Sequence, residues 1–181
     1  MAKLGRFQLK NINQYPAMEG YSLFASIYLD GKRIGKYTDY GNGGLGETDY
    51  ISKDAEIAMT EYIVERAEKH PNDFILQMYE NDNSIYLSDK ERFAKFHPYI
   101  PEGRLSKEVL SAADIDYLVS DFMKLYGLEK AYKKMAKKGY GALSADGFNI
   151  THYPVSWSED QIKKAAGKDK IYWTLDDFIT D

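Results

Sequence analysis

The stretch Tyr21-Ser-Leu-Phe-Ala-Ser-Ile-Tyr-Leu-Asp30-Gly31-Lys-Arg-Ile-Gly-Lys-Tyr-Thr-Asp-Tyr40 decides the fold class. Residues 21–29 alternate, with Tyr21, Leu23, Ala25, Ile27 and Leu29 on one face and Phe24 and Tyr28 on the other. That two-residue period is the signature of a strand covered on one side. Asp30-Gly31 follows, a dipeptide that accepts positive φ at both positions of a tight turn. Arg33–Tyr40 then returns as the second strand of a hairpin. On the N-terminal side, Phe7–Asn13 has the partial alternation of a further strand, and Pro16 and Gly20 predict a loop over Tyr15–Tyr21.

Beyond the hairpin comes a glycine-rich loop, Tyr37-Thr-Asp-Tyr-Gly-Asn-Gly-Gly-Leu-Gly-Glu-Thr-Asp-Tyr50. Its Gly41-Asn-Gly43-Gly44-Leu-Gly46 core spells G-x-G-x-x-G. A phosphate loop of that kind must lead straight into a helix N-terminus, whose amides hold the anion. Here five residues separate Gly46 from Ser52, the first helix cap, and Asp39, Glu47 and Asp49 repel phosphate. The glycines are better suited to supplying positive φ. The same three carboxylates could gather a hard cation, but they lack the regular spacing of a calcium loop.

Ser52 predicts a helix reaching to Pro71, with Asp54 and Glu56 in its first turn and Ala55, Met59, Tyr62 and Ile63 along one buried stripe. The apolar runs Phe74–Tyr79 and Ile85–Leu87, around Glu80–Ser84, predict a second hairpin, and Asp89–Phe96 a short helix. His97–Gly103 holds two prolines and a glycine and is the expected boundary between a β-rich region, 1–97, and a helix-rich one, 104–181, unless the two form one continuous domain. Ile115, Leu118, Val119, Phe122, Met123 and Tyr126 then mark a helix that Gly127 should stop, with a second helix over Leu128–Lys138. A turn at Asp146-Gly147, a strand over Phe148–Val155, a capping box at Ser158–Gln161 opening a helix that ends at Gly167, a strand from Ile171 and a final turn over Leu175–Ile179 complete the chain. The expected class is α+β: antiparallel hairpins packed with a helix, then a helix-rich half with short strands.

The 181 residues contain no cysteine, which excludes disulfides, thiolate nucleophiles and cysteine-held zinc. No signal peptide and no apolar span of membrane length is evident, so a cytosolic protein is expected. The net charge of −4 is segregated: residues 1–36 carry +4, residues 37–123 carry −10, residues 124–170 carry +5 and the tail carries −3. Basic ends around an acidic middle suit a charged partner. The hairpin carries Lys32 and Arg33 at its tip and Lys36 beyond, with Arg6 and Lys10 on the preceding strand and Tyr28 and Tyr37 beside them. Such a ribbon can enter a nucleic-acid groove or a protein cleft. Lys130, Lys133, Lys134, Lys137 and Lys138 recur at helical spacing opposite Leu128, Ala131, Tyr132 and Met135, a face suited to phosphates. His70, His97 and His152 form no zinc-like pair, and an acid–base role would require distant segments to meet.

The lysine-led first strand, the Tyr-Pro loop, the Asp-Gly hairpin and the Tyr-Thr-Asp-Tyr-Gly-Asn-Gly-Gly segment before Ser52 together resemble anti-CRISPR proteins of phages and mobile elements directed at the type II effector nuclease, especially those acting through its guide RNA. The likeness covers about the first seventy residues. It implies the effector nuclease and its guide RNA as partners, the host bacterial cytoplasm as location, and inhibition by blocking the guide or promoting its cleavage. The resemblance transfers no catalytic residue, and the residues themselves point to no cofactor and no metal site. The alternatives are an acidic DNA mimic using Asp114, Asp116 and Asp121, and a regulatory protein of a mobile element without enzymatic role.

Overall fold

A computed structural model describes residues 1–146 and 149–180. In chain order it contains β1 (Lys3–Leu4), β2 (Phe7–Ala17), β3 (Gly20–Leu29), β4 (Lys32–Asp39), β5 (Glu47–Tyr50), α1 (Lys53–Lys69), α2 (Asp73–Asn81), α3 (Asn83–Phe96), α4 (Lys107–Ala112), α5 (Ile115–Ala136), β6 (Tyr140–Ala145), β7 (Ile150–Pro154), α6 (Glu159–Ala166), β8 (Lys170–Tyr172) and β9 (Ile179–Thr180). The α+β class is as expected from the sequence. Two compact units divide the chain: one is Leu9–Ser120, the other joins Met1–Gln8 to the residues from Asp121 onward. The proline-rich 97–103 segment lies inside the first of these, where Ile100 is buried in a helical core with Val64, Ala67, Tyr79, Leu105 and Val109. Among the described residues no helix is long and apolar enough to cross a membrane.

In the Leu9–Ser120 unit, β5, β4, β3 and β2 are neighbours in that order. The hairpin turn falls at Asp30 and Gly31, with φ of 50° and 76°. Leu23, Ala25, Ile27 and Leu29 are buried and Phe24 is outward, as the alternation predicts, although Tyr21 is exposed. The loop expected over Tyr15–Tyr21 shrinks to a turn at Met18-Glu19, because β2 continues to Ala17. Pro16 is tolerated in it because, among the described residues, β1 pairs with β2 at Phe7 and not beside Pro16. Residues 47–50, within the expected loop, form β5 and pair with β4 from Gly35 to Thr38.

The Ser52 side chain accepts from the Ala55 N–H at 3.2 Å and starts α1, whose Ala55, Met59, Tyr62 and Ile63 are all buried. The second hairpin is not formed. Phe74–Tyr79 and Ile85–Leu87 lie in helices α2 and α3, each with a side-chain cap: Asn72 Oδ1 accepts from the Ile75 N–H and Asp82 Oδ1 from the Ser84 N–H. A short apolar run reads equally as strand or helix, and here capping and the Tyr79–Tyr86 ring contact at 6.0 Å select the helices.

In the other unit, β1 runs parallel to β9, and β6 lies between β7 and β8. Ser158 and Gln161 form the expected capping box of α6, which ends at Gly167 with φ 62°. Gly147 and Phe148, expected in a turn and at a strand start, lie outside the described residues. The helix break at Gly127 does not occur: α5 runs unbroken to Ala136. Its buried stripe continues as Phe122, Leu125, Glu129 and half-buried Tyr132, so a carboxylate occupies a core position. Lys133 Nζ at 2.6 Å and the Ala2 N–H at 2.9 Å satisfy Glu129. Burial pushes the Glu129 carboxyl up, but these donors outweigh it and hold it below its ordinary range.

Nothing lies within 4 Å of a Cβ placed on Gly127, and its backbone is helical. Gly127→Ala should therefore stabilise the protein by about 0.5–1 kcal/mol in chemical denaturation. A loss of stability would restore the helix break that the sequence suggests.

Candidate nucleic-acid interface

The β3–β4 register decides which side chains share the open side of the sheet. Phe24 pairs with Thr38 and Ser26 with Lys36, but Ile27 pairs with Gly35 and Tyr28 with Arg33. Ile34 is thus the extra residue of a β-bulge. In an unbroken strand, Arg33 and Lys36 would point to opposite faces. The bulge turns Arg33 onto the face that carries Tyr28, Ser26 and Lys36, while Ile34 is buried.

The same face gathers groups from β2. Lys10 Nζ stands 4.3 Å from the centre of the Tyr28 ring, and Asn11 Nδ2 donates to Ser26 Oγ. Phe24 sits between Tyr15 and Tyr40, 6.2 Å from each ring centre in edge contact. Tyr15, Phe24 and Tyr40 are 56%, 36% and 56% exposed. A row of three open rings therefore lies on the face that also carries three cations, Lys10, Arg33 and Lys36. Among the described residues, Arg33 and Lys36 form no ion pair, although Asp49 lies opposite Lys36 on β5. Open rings stack on bases whatever their identity, and the cations meet the backbone phosphates. Tyr15, Phe24 and Tyr40 were not among the candidates from sequence. The outward placement of Phe24 was legible, but its ring partners come from segments that only strand pairing brings together.

The remaining candidates are dispersed. Lys32 is exposed but pairs with Leu29 beside the turn, off this face. Arg6 is not on a strand; it occupies the turn between β1 and β2 in the other unit. The lysine row on α5 is only partly a helix face, because the helix ends at Ala136 and Lys137 and Lys138 follow it in a turn. Lys133 is committed to Glu129, and Lys130 lies 5.3 Å from the Tyr126 ring centre. Lys134 is exposed. His70 caps the end of α1 and His97 that of α3, where burial holds the His97 imidazole below its ordinary pKa. His152 lies on β7, its Nδ1 buried with no hydrogen-bond partner among the described residues.

Tyr37, expected on the binding surface, is buried at 3% exposure and points the other way. Its hydroxyl donates to Asp116 Oδ1 at 2.6 Å, and Asp116 Oδ2 accepts from the Gly46 N–H at 3.1 Å. A Cβ on Gly46 would overlap the Tyr37 ring and hydroxyl. That close approach, and the positive φ of Gly41 and Gly43, account for the glycine motif without a phosphate. Of the acids considered for DNA mimicry, Asp116 is spent on this contact, and Asp114 is half-buried with Oδ1 accepting from the Asp116 N–H. Asp121 is exposed and pairs with Lys124 at 3.5 Å.

Burial, then the hydrogen bond and charge of Asp116, push the Tyr37 hydroxyl pKa above the ordinary tyrosine value. Tyr37→Phe should cost about 1.5–3 kcal/mol, the range for a hydrogen bond to a charged group, and Gly46→Ala should cost more. Because the unfolded chain releases its tyrosine protons first, stability should fall as pH rises past about 10. Denaturant titrations from neutral to strongly alkaline pH should show a shallower fall in Tyr37→Phe; an unchanged slope would remove Tyr37 from this role.

Compared with protein-family models, with curated proteins and with solved structures, the chain has no match in any of the three.

Proposed function

We propose that the protein is an RNA-directed inhibitor of the type II CRISPR effector nuclease, acting in the host bacterial cytoplasm on the guide RNA the nuclease carries. The observation that carries this reading is the open sheet face, where Tyr15, Phe24 and Tyr40 lie beside Lys10, Tyr28, Arg33 and Lys36. Single-stranded RNA is bound by this pairing of stacking rings with phosphate-neutralising cations. The family resemblance of residues 1–70 supplies the identity of the ribonucleoprotein. Covering the guide needs only this face. Promoting its cleavage would draw on lysine, arginine or tyrosine as proton carriers and charge stabilisers, since the described part of the face presents no histidine.

The hairpin-tip proposal of the sequence is thereby refined to a face that excludes Lys32 and Tyr37. Lys10, Arg33 and Lys36 changed together to alanine should weaken binding of a single-stranded guide fragment and flatten the slope of log affinity against log salt by about 2. Phe24→Ala should cost about 1–3 kcal/mol of binding, the usual loss for one stacked base, with the slope unchanged. Lys32→Ala should do little. Fluorescence anisotropy across a salt series measures these effects. Effector cleavage assays, with the guide run on a denaturing gel, separate covering from cutting. Full inhibition by the triple variant would refute the proposal.

A further inference from the structure

The helical side of the Leu9–Ser120 unit holds a groove of about 370 Å³ that plays no part in the sheet face. The apolar part of its wall includes Ile75, Met78, Phe93, Leu110 and Ile115. Volumes of this size suit a ligand of drug-like or smaller dimensions. Among the polar groups that line it, Asp89, Arg92, Ser111 and His97 already have partners. Asp89 accepts from the Tyr79 hydroxyl at 2.7 Å and pairs with Arg92 at 3.3 Å. Ser111 Oγ donates to the Glu108 carbonyl and accepts from the Asn72 N–H. His97 Nδ1 lies 3.3 Å from the Tyr99 hydroxyl.

Asp114 differs in having a hydrogen bond but no ion pair among the described residues: its Oδ1 accepts from the Asp116 N–H at 2.8 Å. Burial raises its pKa, the Asp116 charge adds to that, and the Asp116 N–H and the attraction of Arg92 do not cancel the effect. Tyr79 and Phe93 supply aromatic surface to the groove, with Tyr117 and Phe96 exposed at its margin. With Arg92 of the same lining paired to Asp89, a carboxylate that has no ion-pair partner, set among aromatic and apolar side chains, is complementary to a protonated amine carried on an apolar body.

We propose that this groove binds a small organic cation, a primary ammonium on an aromatic or branched apolar group, with the ammonium at Asp114 and the body against Phe93, Leu110 and Ile115. The site is independent of RNA binding.

The test uses 2-phenylethylammonium chloride as probe, with 3-phenylpropionate and 2-phenylethanol as the anionic and neutral controls, titrated into ¹⁵N-labelled full-length protein. The expected result is saturable shifts at Phe93, Asp114 and Ile115, at least tenfold tighter for the cation than for either control. Asp114→Asn should remove that preference while keeping the fold, since asparagine caps helices as well as aspartate does. Met78→Trp, which adds bulk to the lining, should abolish binding of all three. Equal binding of the three probes, shifts confined to other regions, or no saturation by the cation would each overturn the proposal. So would Asp114-dependent binding of a lysine-bearing amphipathic peptide in place of the amine, which would make the groove a polypeptide dock.

Discussion

The Leu9–Ser120 unit is organised around one contact, the buried Tyr37 ring's hydroxyl on the Asp116 carboxylate. Asp116 is half-buried, and its carboxylate obtains two donors, one from Tyr37 and one from the Gly46 N–H. Holding both brings the loop back across the Tyr37 ring, where only glycine fits. The loop then delivers β5 to the edge of β4, and Ser52 starts α1 directly afterwards. Strand period carries the consequence to the other face. With Tyr37 turned inward, Lys36 and Thr38 must turn outward, and the bulge at Ile34 adds Arg33 to them. The anchor beneath the sheet and the cations above it are two sides of the same alternation.

Legibility followed the range of the interactions. The Asp30-Gly31 turn, the Ser52 cap and the Ser158 capping box are local chemistry, and each forms where the sequence places it. Phe74–Tyr79 was ambiguous because a short apolar run has no period of its own; Asn72 and Asp82 as caps were the available signal for helices. Gly127 misled because the stripe beyond it passes through Glu129, a residue that looks solvent-facing until Lys133 and Ala2 are seen to satisfy it. The aromatic row could not be read at all, since Tyr15, Phe24 and Tyr40 meet only after β2, β3 and the loop beyond β4 are brought side by side. Tyr37 and Phe24 illustrate the limit: composition marks both as aromatic, and only register tells which one is the anchor and which the platform.

The charge map takes on a different meaning once placed on the fold. The block of residues 37–123 carries −10, but Asp116 is half-buried and engaged with Tyr37 and Gly46, and Asp114 lines a groove, so these two carboxylates serve the fold. The lysines near the end of α5 are likewise partly committed, with Lys133 neutralising Glu129. On the sheet, Arg33 and Lys36 form no ion pair among the described residues and share a face with the rings. A modest cationic count beside several rings favours unpaired, flexible polyanion over duplex, because bases must be free to lie on the rings.

The most direct measurement is ultraviolet crosslinking of the protein to a guide-loaded type II effector, with the crosslinked residues located by mass spectrometry. Guide RNA attached at Tyr15, Phe24, Tyr28 or Tyr40 is the predicted result. Attachment only within the α5 lysine row, or none to this protein while it still inhibits, would contradict the account.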